Sequence, residues 1–208
     1  MNDQMRRERA VENAADRLPA LRIARARAGA LLVGLDFDGT LAAIVPRPAD
    51  AALVEGAAPV LEQLAARADT HVAVVTGRSI EDARMRMRMD HIHYAGNHGL
   101  EIEGPGNRWV HESAGSARAG IEQLLGELND LFGGRTDITF EDKVLSASVH
   151  FREVEDETEQ QRIANVVHDS AARLGLTDAS TDRALLALTD GKKVVEIRPH
   201  VEWDKGRA

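Results

Sequence analysis

Short apolar runs alternate along the chain with amphipathic stretches, and their order predicts the elements. Ala30-Leu-Leu-Val-Gly-Leu35 is apolar without polar alternation, the pattern of a parallel strand buried on both faces. Val54 to Ala66 has helical spacing, with Val60, Leu61 and Leu64 on one side, and Thr70 to Val75 is a second apolar run. Strand, helix, strand makes a βαβ unit, whose crossover is right-handed. Ser79 to Asp90 predicts a helix with Ser79 as its cap and Asp82 three residues on. The alternation within Arg84-Met-Arg-Met-Arg-Met89 would also suit a strand; as a helix it presents a solvated arginine face. Upstream, residues 1 to 28 predict one or two solvated amphipathic helices interrupted near Pro19.

From Trp109 the texture changes to that of an α+β layer. A helix over Ala117 to Phe132, a turn at Gly133-Gly134, a strand over Ile138 to Arg152, a helix over Glu157 to Leu174 and a strand pair over Leu185 to Arg198 follow in turn. Within the first strand Leu145, Ala147, Val149 and Phe151 share one face, and Ser146, Ser148, His150 and Arg152 the other. Glu141 and Lys143 break the parity of Ser146, so the strand bends or bulges between them. The fold class is α/β, a Rossmann-like parallel-sheet core with an inserted α+β cap.

Composition narrows the function classes. The 208 residues carry a net charge of -8 and only 3% aromatics, which disfavours nucleic acid as a partner. Zero cysteines exclude disulfides, zinc-thiolate sites and thiol nucleophiles, so a bound metal must use oxygen or imidazole. No apolar stretch approaches the ~20 residues of a membrane span, and the N-terminus lacks the pattern of a secretory signal. The expected address is the cytoplasm, with a monomer favoured.

Chemistry concentrates in Asp36-Phe-Asp-Gly-Thr40, directly after the first strand. The carboxyl ends of parallel strands are where open α/β sheets place ligands. Two adjacent acids there suit a hard cation such as Mg²⁺; an Asx turn is the plain alternative. A calcium loop is excluded, because its twelfth position would be Arg47 instead of Glu. Val72-Ala-Val-Val-Thr-Gly-Arg78 brings a hydroxyl and backbone N–H groups to a helix N-terminus, a setting that suits phosphate. His91, His93 and His98 lack the carboxylate spacing of a metal site, and Arg135 reads as a solvated charge.

Leu35-Asp-Phe-Asp-Gly-Thr-Leu41 and Thr76-Gly-Arg78 resemble the first two motifs of the haloacid dehalogenase superfamily of phosphotransferases. Gly96-Asn-His-Gly-Leu-Glu101, Glu141-Asp-Lys-Val-Leu-Ser146 with His150 and Arg152, and Gly191 to Pro199 followed by Lys205-Gly206 narrow the resemblance to the trehalose-6-phosphate phosphatases. The resemblance implies catalytic Asp36, Asp38, Thr76 and Lys205. Asp36 would be the nucleophile of an aspartyl-phosphate intermediate and Asp38 the general acid and base. Thr76 and Lys205 would meet the phosphoryl group, and Asp36 and Asp38 would hold Mg²⁺. Gly77, Arg78, Asn97, His98, Glu141, Lys143, Glu196 and Arg198 would bind the substrate, a small sugar phosphate.

The implied division is a leader over 1–29, a core over 30–111, an inserted cap over 112–198 and a return to the core over 199–208. In the superfamily an acidic fourth motif follows, and none stands between Lys205 and Ala208. The expectation is therefore a core incomplete at the C-terminus, in a truncated or metal-impaired form. Trehalose 6-phosphate is the expected substrate, ahead of sucrose phosphate and mannosylglycerate phosphate. A non-catalytic sugar-phosphate-binding or regulatory domain is the competing reading, and a phosphomutase is a third.

Overall fold

The structure, a computed structural model, describes residues 14–45, 47–177 and 184–208. The first thirteen residues of the expected leader and Pro46 lie outside them. Helix α1, Leu18–Arg27, buries no residue and carries Pro19 in its first turn. Proline is tolerated there because its absent N–H would have had no helical partner, so the expected interruption does not occur.

Strand β1 (Leu31–Leu35), helix α2 (Ala57–Ala65), strand β2 (Thr70–Val75), helix α3 (Ile80–Met87) and strand β3 (His93–Gly96) form the βαβ succession. β1, β2 and β3 are parallel, with Val33 opposite Val72 and Val74 opposite Tyr94. Val72 and Val74 pack with Leu61, Ile80, Ala83, Met87, Ile92 and Tyr94 in one core. Because α2 and α3 both cover the face bearing Val72 and Val74, the other face stays open and Leu32 is 69% exposed. β1 also lies at the sheet's edge, so the expectation of a strand buried on both faces is corrected.

The arginine-methionine run is helical as far as Met87, and Arg88, at φ 54°, ends the helix in a left-handed cap. Ser79 caps the other end by accepting from Asp82 N at 3.2 Å. Its arginines are paired, not merely solvated: Arg86 is bound to Asp82, and Arg84 to Asp90 and Glu103. Strands β4 (Glu101–Gly104) and β5 (Asn107–Val110) add two antiparallel members beyond β3. The pattern predicted none of β3 to β5.

The remainder forms a four-stranded antiparallel sheet under two helices. Helix α4 (Glu112–Phe132) leads to β6 (Thr139–Asp142), β7 (Ala147–His150), helix α5 (Glu157–Arg173), β8 (Leu186–Gly191) and β9 (Val194–Pro199), in sheet order β6-β7-β9-β8. Ile121, Leu124 and Leu128 of α4 and Ile163 and Val167 of α5 meet Ala147, Val149, Val195 and Ile197 in a second core. Arg135, expected as a solvated charge, joins Asp137 to Glu159 at the edge of this layer. The expected single strand over 138–152 is a hairpin, with Glu141 opposite Ser148 and Thr139 opposite His150. Its turn is closed by Asp142 Oδ1, which accepts from Val144 N at 2.9 Å, and Val144 takes a positive φ of 69°. The parity break between Lys143 and Ser146 is thus a full reversal of the chain. The helices hold the apolar face of this sheet, and its polar face meets the carboxyl end of the parallel strands.

Candidate active site

Asp36 and Asp38 stand where β1 runs out. Phe37 between them is fully buried, and its carbonyl accepts from Leu41 N and Ala42 N, both at 2.9 Å. Gly39 supplies the positive φ of 83° that this tight turn needs. The two carboxylates face a cleft of about 270 Å³ between the sheets, lined also by Gly77, Arg78, His98, Glu141, Lys143, Glu196 and Lys205. Asp36 Oδ1 accepts from Phe37 N and from Lys205 Nζ, each at 2.9 Å. The ammonium crosses 169 residues of sequence to do so.

Asp38 is held by a fork. Arg78 Nε donates to Oδ2 at 2.8 Å and Nη2 to Oδ1 at 2.7 Å, the bidentate pairing that fixes a carboxylate plane. Nη1 donates to Asp82 at 2.7 Å and Nη2 also to the Pro48 carbonyl at 3.0 Å. Burial disfavours the guanidinium charge, but the bonds to Asp38 and Asp82 more than offset it and raise the Arg78 pKa. At 5% exposure Arg78 touches the cleft mainly through Asp38.

The loop from β2 to α3 differs from expectation. Thr76 is fully buried, its hydroxyl accepts from Arg78 N at 3.1 Å, and it does not line the cleft. Ile80 N donates to Glu101 Oε1 at 2.9 Å and Asp82 N to Ser79. Two of the N–H groups proposed for phosphate are therefore already satisfied by side chains. Gly77 does line the cleft, and a Cβ there would stand 2.7 Å from His98 Nε2. Gly77→Ala is expected to displace the His98 ring and lengthen its 3.3 Å contact with Glu196. The His98 imidazole resonances in NMR spectra of the two chains check this, and unshifted resonances would count against it.

Asn97 and His98 adopt left-handed backbone at φ 49° and 59°. Asn97 is fully buried and not in the cleft. Its Nδ2 donates to Glu101 Oε1 at 2.7 Å and to the Lys143 carbonyl at 3.1 Å, while Oδ1 accepts from Ser146 at 2.6 Å. The expectation of substrate contact is corrected: Asn97 rivets the two sheets together. His98 faces the cleft, Nε2 3.3 Å from Glu196 Oε2.

Glu196 is held down at about 2, by the His98 hydrogen bond first, against the opposing effect of burial, with Lys143 and Arg198 adding to it. A carboxylate with a depressed folded pKa stabilises the fold above its unfolded value near 4.5, and that contribution is lost as pH falls toward 2. The melting-temperature gap between the native chain and Glu196→Gln should therefore be largest above pH 5 and shrink progressively below it. A gap that is flat from pH 6 to pH 3 would contradict the assignment.

Burial opposes the charge of Glu141, yet His150 and Lys143 hold its pKa below the ordinary carboxylate value. Oε2 lies 2.9 Å from His150 Nε2 and 3.5 Å from Lys143 Nζ, which also donates to Ser148 at 2.8 Å. Arg198 shares the face of Glu196 but lines a smaller neighbouring cavity with Asn97 and His98 instead of the cleft, and its buried Nε has no hydrogen-bond partner among the described residues. His150 and Arg152, present in the motif but given no role by sequence reasoning, both line the cleft. Arg152 Nη1 reaches the Val45 carbonyl at 2.7 Å and so ties the two layers. The alternation of polar residues along β7 was the signal for both.

For a divalent cation the donor set is oxygen. Among the described residues Asp36 Oδ2 receives no hydrogen bond, while Oδ1 is committed. One free carboxylate oxygen with carbonyl and water oxygens suits Mg²⁺, which keeps several waters and takes few protein ligands. Asp204 does not line the cleft, and its Oδ1 caps Gly206 N and Arg207 N at 2.8 and 3.1 Å.

An uncharacterized glycosyl hydrolase of Mycobacterium tuberculosis is 40% identical over 177 residues, which cover 85% of this chain and 12% of that protein. The trehalose-phosphate phosphatase of Mycobacterium marinum is 34% identical over 177 residues, 84% of this chain and 42% of the relative. The chain thus spans less than half the length of either. The C-terminal domain of the Candida albicans trehalose-6-phosphate phosphatase superposes with a TM-score of 0.71 at 19% identity, covering 90% of this chain and 63% of that one, a likeness of fold. Residues 34–208, from the strand that delivers Asp36 to the segment that delivers Lys205, match the trehalose-phosphatase family, and the chain belongs to it.

Proposed function

We propose that the chain is a Mg²⁺-dependent phosphatase that hydrolyses trehalose 6-phosphate through an aspartyl-phosphate on Asp36. The observation that carries this is the cleft itself. A carboxylate beside an ammonium, Asp36 with Lys205 at 2.9 Å, faces a wall of Glu141, Lys143, His98 and Glu196, the group types that bind sugar hydroxyls. In this reading residues 112–198 are the cap, closing over a core of 30–111 and 199–208.

One carboxylate oxygen of Asp36 attacks phosphorus while the other remains for the cation, and the bond from phosphorus to the sugar oxygen breaks. Asp38, carrying a proton, gives it to that departing oxygen. It then takes a proton from the water that attacks the aspartyl-phosphate, releasing phosphate and restoring Asp36. In the structure both Asp38 oxygens accept from Arg78, so one must leave the fork before Asp38 can donate. Lys205 offsets the repulsion between the anionic nucleophile and the anionic phosphate. Thr76, behind Arg78 N, orients the loop that lies against the phosphoryl group. Mg²⁺, when bound by the Asp36 carboxylate and the Asp38 carbonyl, supplies further charge neutralisation at the phosphoryl oxygens.

The test is phosphate release with added Mg²⁺ from trehalose 6-phosphate, sucrose 6-phosphate and mannosylglycerate phosphate in parallel. Preferential turnover of the first is expected. Faster turnover of either other ester would reassign the substrate, and binding without turnover would make the chain a sugar-phosphate-binding domain.

A further inference from the structure

The segment that carries Lys205 belongs to no helix or strand; residues 200–208 are turns, bends and irregular chain. The Lys205–Asp36 pair is also partly open to water, with side-chain exposures of 37% and 45%. Such a pair contributes little unless the long lysine side chain is already in place. Something else must therefore hold the segment.

The chain has two tryptophans, and they meet here. Trp109, at the end of β5, and Trp203 have ring centroids 5.3 Å apart, and His111 lies 5.7 Å from the first and 5.2 Å from the second. Trp203 Nε1 donates to the Gly99 carbonyl at 2.8 Å, in the loop that presents His98. At φ +94° Gly99 has no room for a side chain, since a Cβ would come within 2.5 Å of Ala208 Cβ and 3.1 Å of Trp203 Nε1. His111 Nδ1 accepts from Ser113 N at 3.2 Å and so caps α4. The cluster thus sits where the chain leaves the first sheet for the second layer and where it returns. Ring contacts of this kind stabilise beyond the area they bury.

We propose that Trp203, clamped by Trp109 and His111 and bonded to the Gly99 carbonyl, is the positioning residue that sets Lys205 on Asp36. This rests on the reading of Lys205 as a phosphate-side charge. Only Asp204 stands between the anchor and Lys205, so a shift of the indole is passed on to Nζ. Trp203 touches no reacting atom, and its contribution passes wholly through Lys205.

A double-mutant cycle tests the proposal, with affinity for inorganic phosphate in the presence of Mg²⁺ as the readout. Lys205→Ala is expected to weaken binding about tenfold, the worth of one charge-assisted hydrogen bond. Trp203→Ala should come close to that loss, and the double variant should be no weaker than Lys205→Ala alone. Trp203→Phe, which keeps a ring but loses the donor, should fall between and serves as the cycle's second arm where the alanine variant does not fold. Where trehalose 6-phosphate is turned over, the Trp203 variants should change kcat and KM in the same proportion as Lys205→Ala does. Losses that add in the double variant, or a native chain with no phosphate affinity, overturn the proposal. A coupled cycle in a chain that releases no phosphate leaves it standing and overturns the phosphatase reading instead.

Discussion

Asp36→Asn is expected to lower phosphate release from trehalose 6-phosphate by at least ~10⁴-fold, the scale of losing a catalytic nucleophile. The amide is nearly isosteric with the carboxylate but has no anionic lone pair to attack phosphorus. It retains an oxygen that can accept from Phe37 N, as Asp36 Oδ1 does at 2.9 Å, so the turn that aims the residue survives. The ion pair with Lys205 is lost. Both partners are substantially exposed, which limits the stability cost to less than ~1 kcal/mol. The result to look for is therefore an inactive chain whose melting temperature is close to the native one. Retention of more than a tenth of the activity would remove Asp36 as the nucleophile. A collapse in melting temperature would make the loss uninformative, and Asp36→Glu would then carry the comparison, because its carboxylate is charged but one methylene too far forward.

Much of this arrangement was legible in the chain, and the parts that were not have local causes. The acids at the end of the first apolar run, the Ser79 cap and the alternation along β7 each follow a single period or a single turn, which sequence displays directly. β3, β4 and β5 each hold four residues, the first two ending in glycine and the last two carrying charges, too short for a period to emerge. The β6–β7 hairpin was hidden because Val144 occupies its positive-φ position, where a β-branched residue argues for continuing strand. Thr76 and Asn97 show a deeper limit. Motif membership says that a polar side chain is needed, but not which way it points. The hydroxyl of Thr76 serves Arg78 N, and the amide of Asn97 serves Lys143 and Ser146. Both support residues that line the cleft while being absent from it.

Arg78 was likewise expected to touch substrate, and its burial predicts a different kinetic signature. Arg78→Lys should lower kcat about 10²-fold, the scale of a displaced acid–base group, and leave KM nearly unchanged. Lysine keeps the charge, but one ammonium cannot reproduce two parallel donors to Asp38 together with bonds to Asp82 and the Pro48 carbonyl. Once one bond of the fork has opened, the second still aims the freed oxygen of Asp38 at the leaving group, and a lone ammonium would not hold that aim. A residue that bound the phosphate directly would instead raise KM. Arg78→Ala is a poorer probe, because it removes the bonds to Asp38, Asp82 and the Pro48 carbonyl together and leaves a void beside Phe37. Asp82→Asn separates the effects: it leaves the fork on Asp38 intact but removes the carboxylate that holds Arg78 from behind. Its kcat should fall by less than that of Arg78→Lys, since Arg86 and Arg78 keep a neutral acceptor at that position. If Arg78→Lys raises KM and spares kcat, Arg78 binds substrate and Asp38 is oriented by something else.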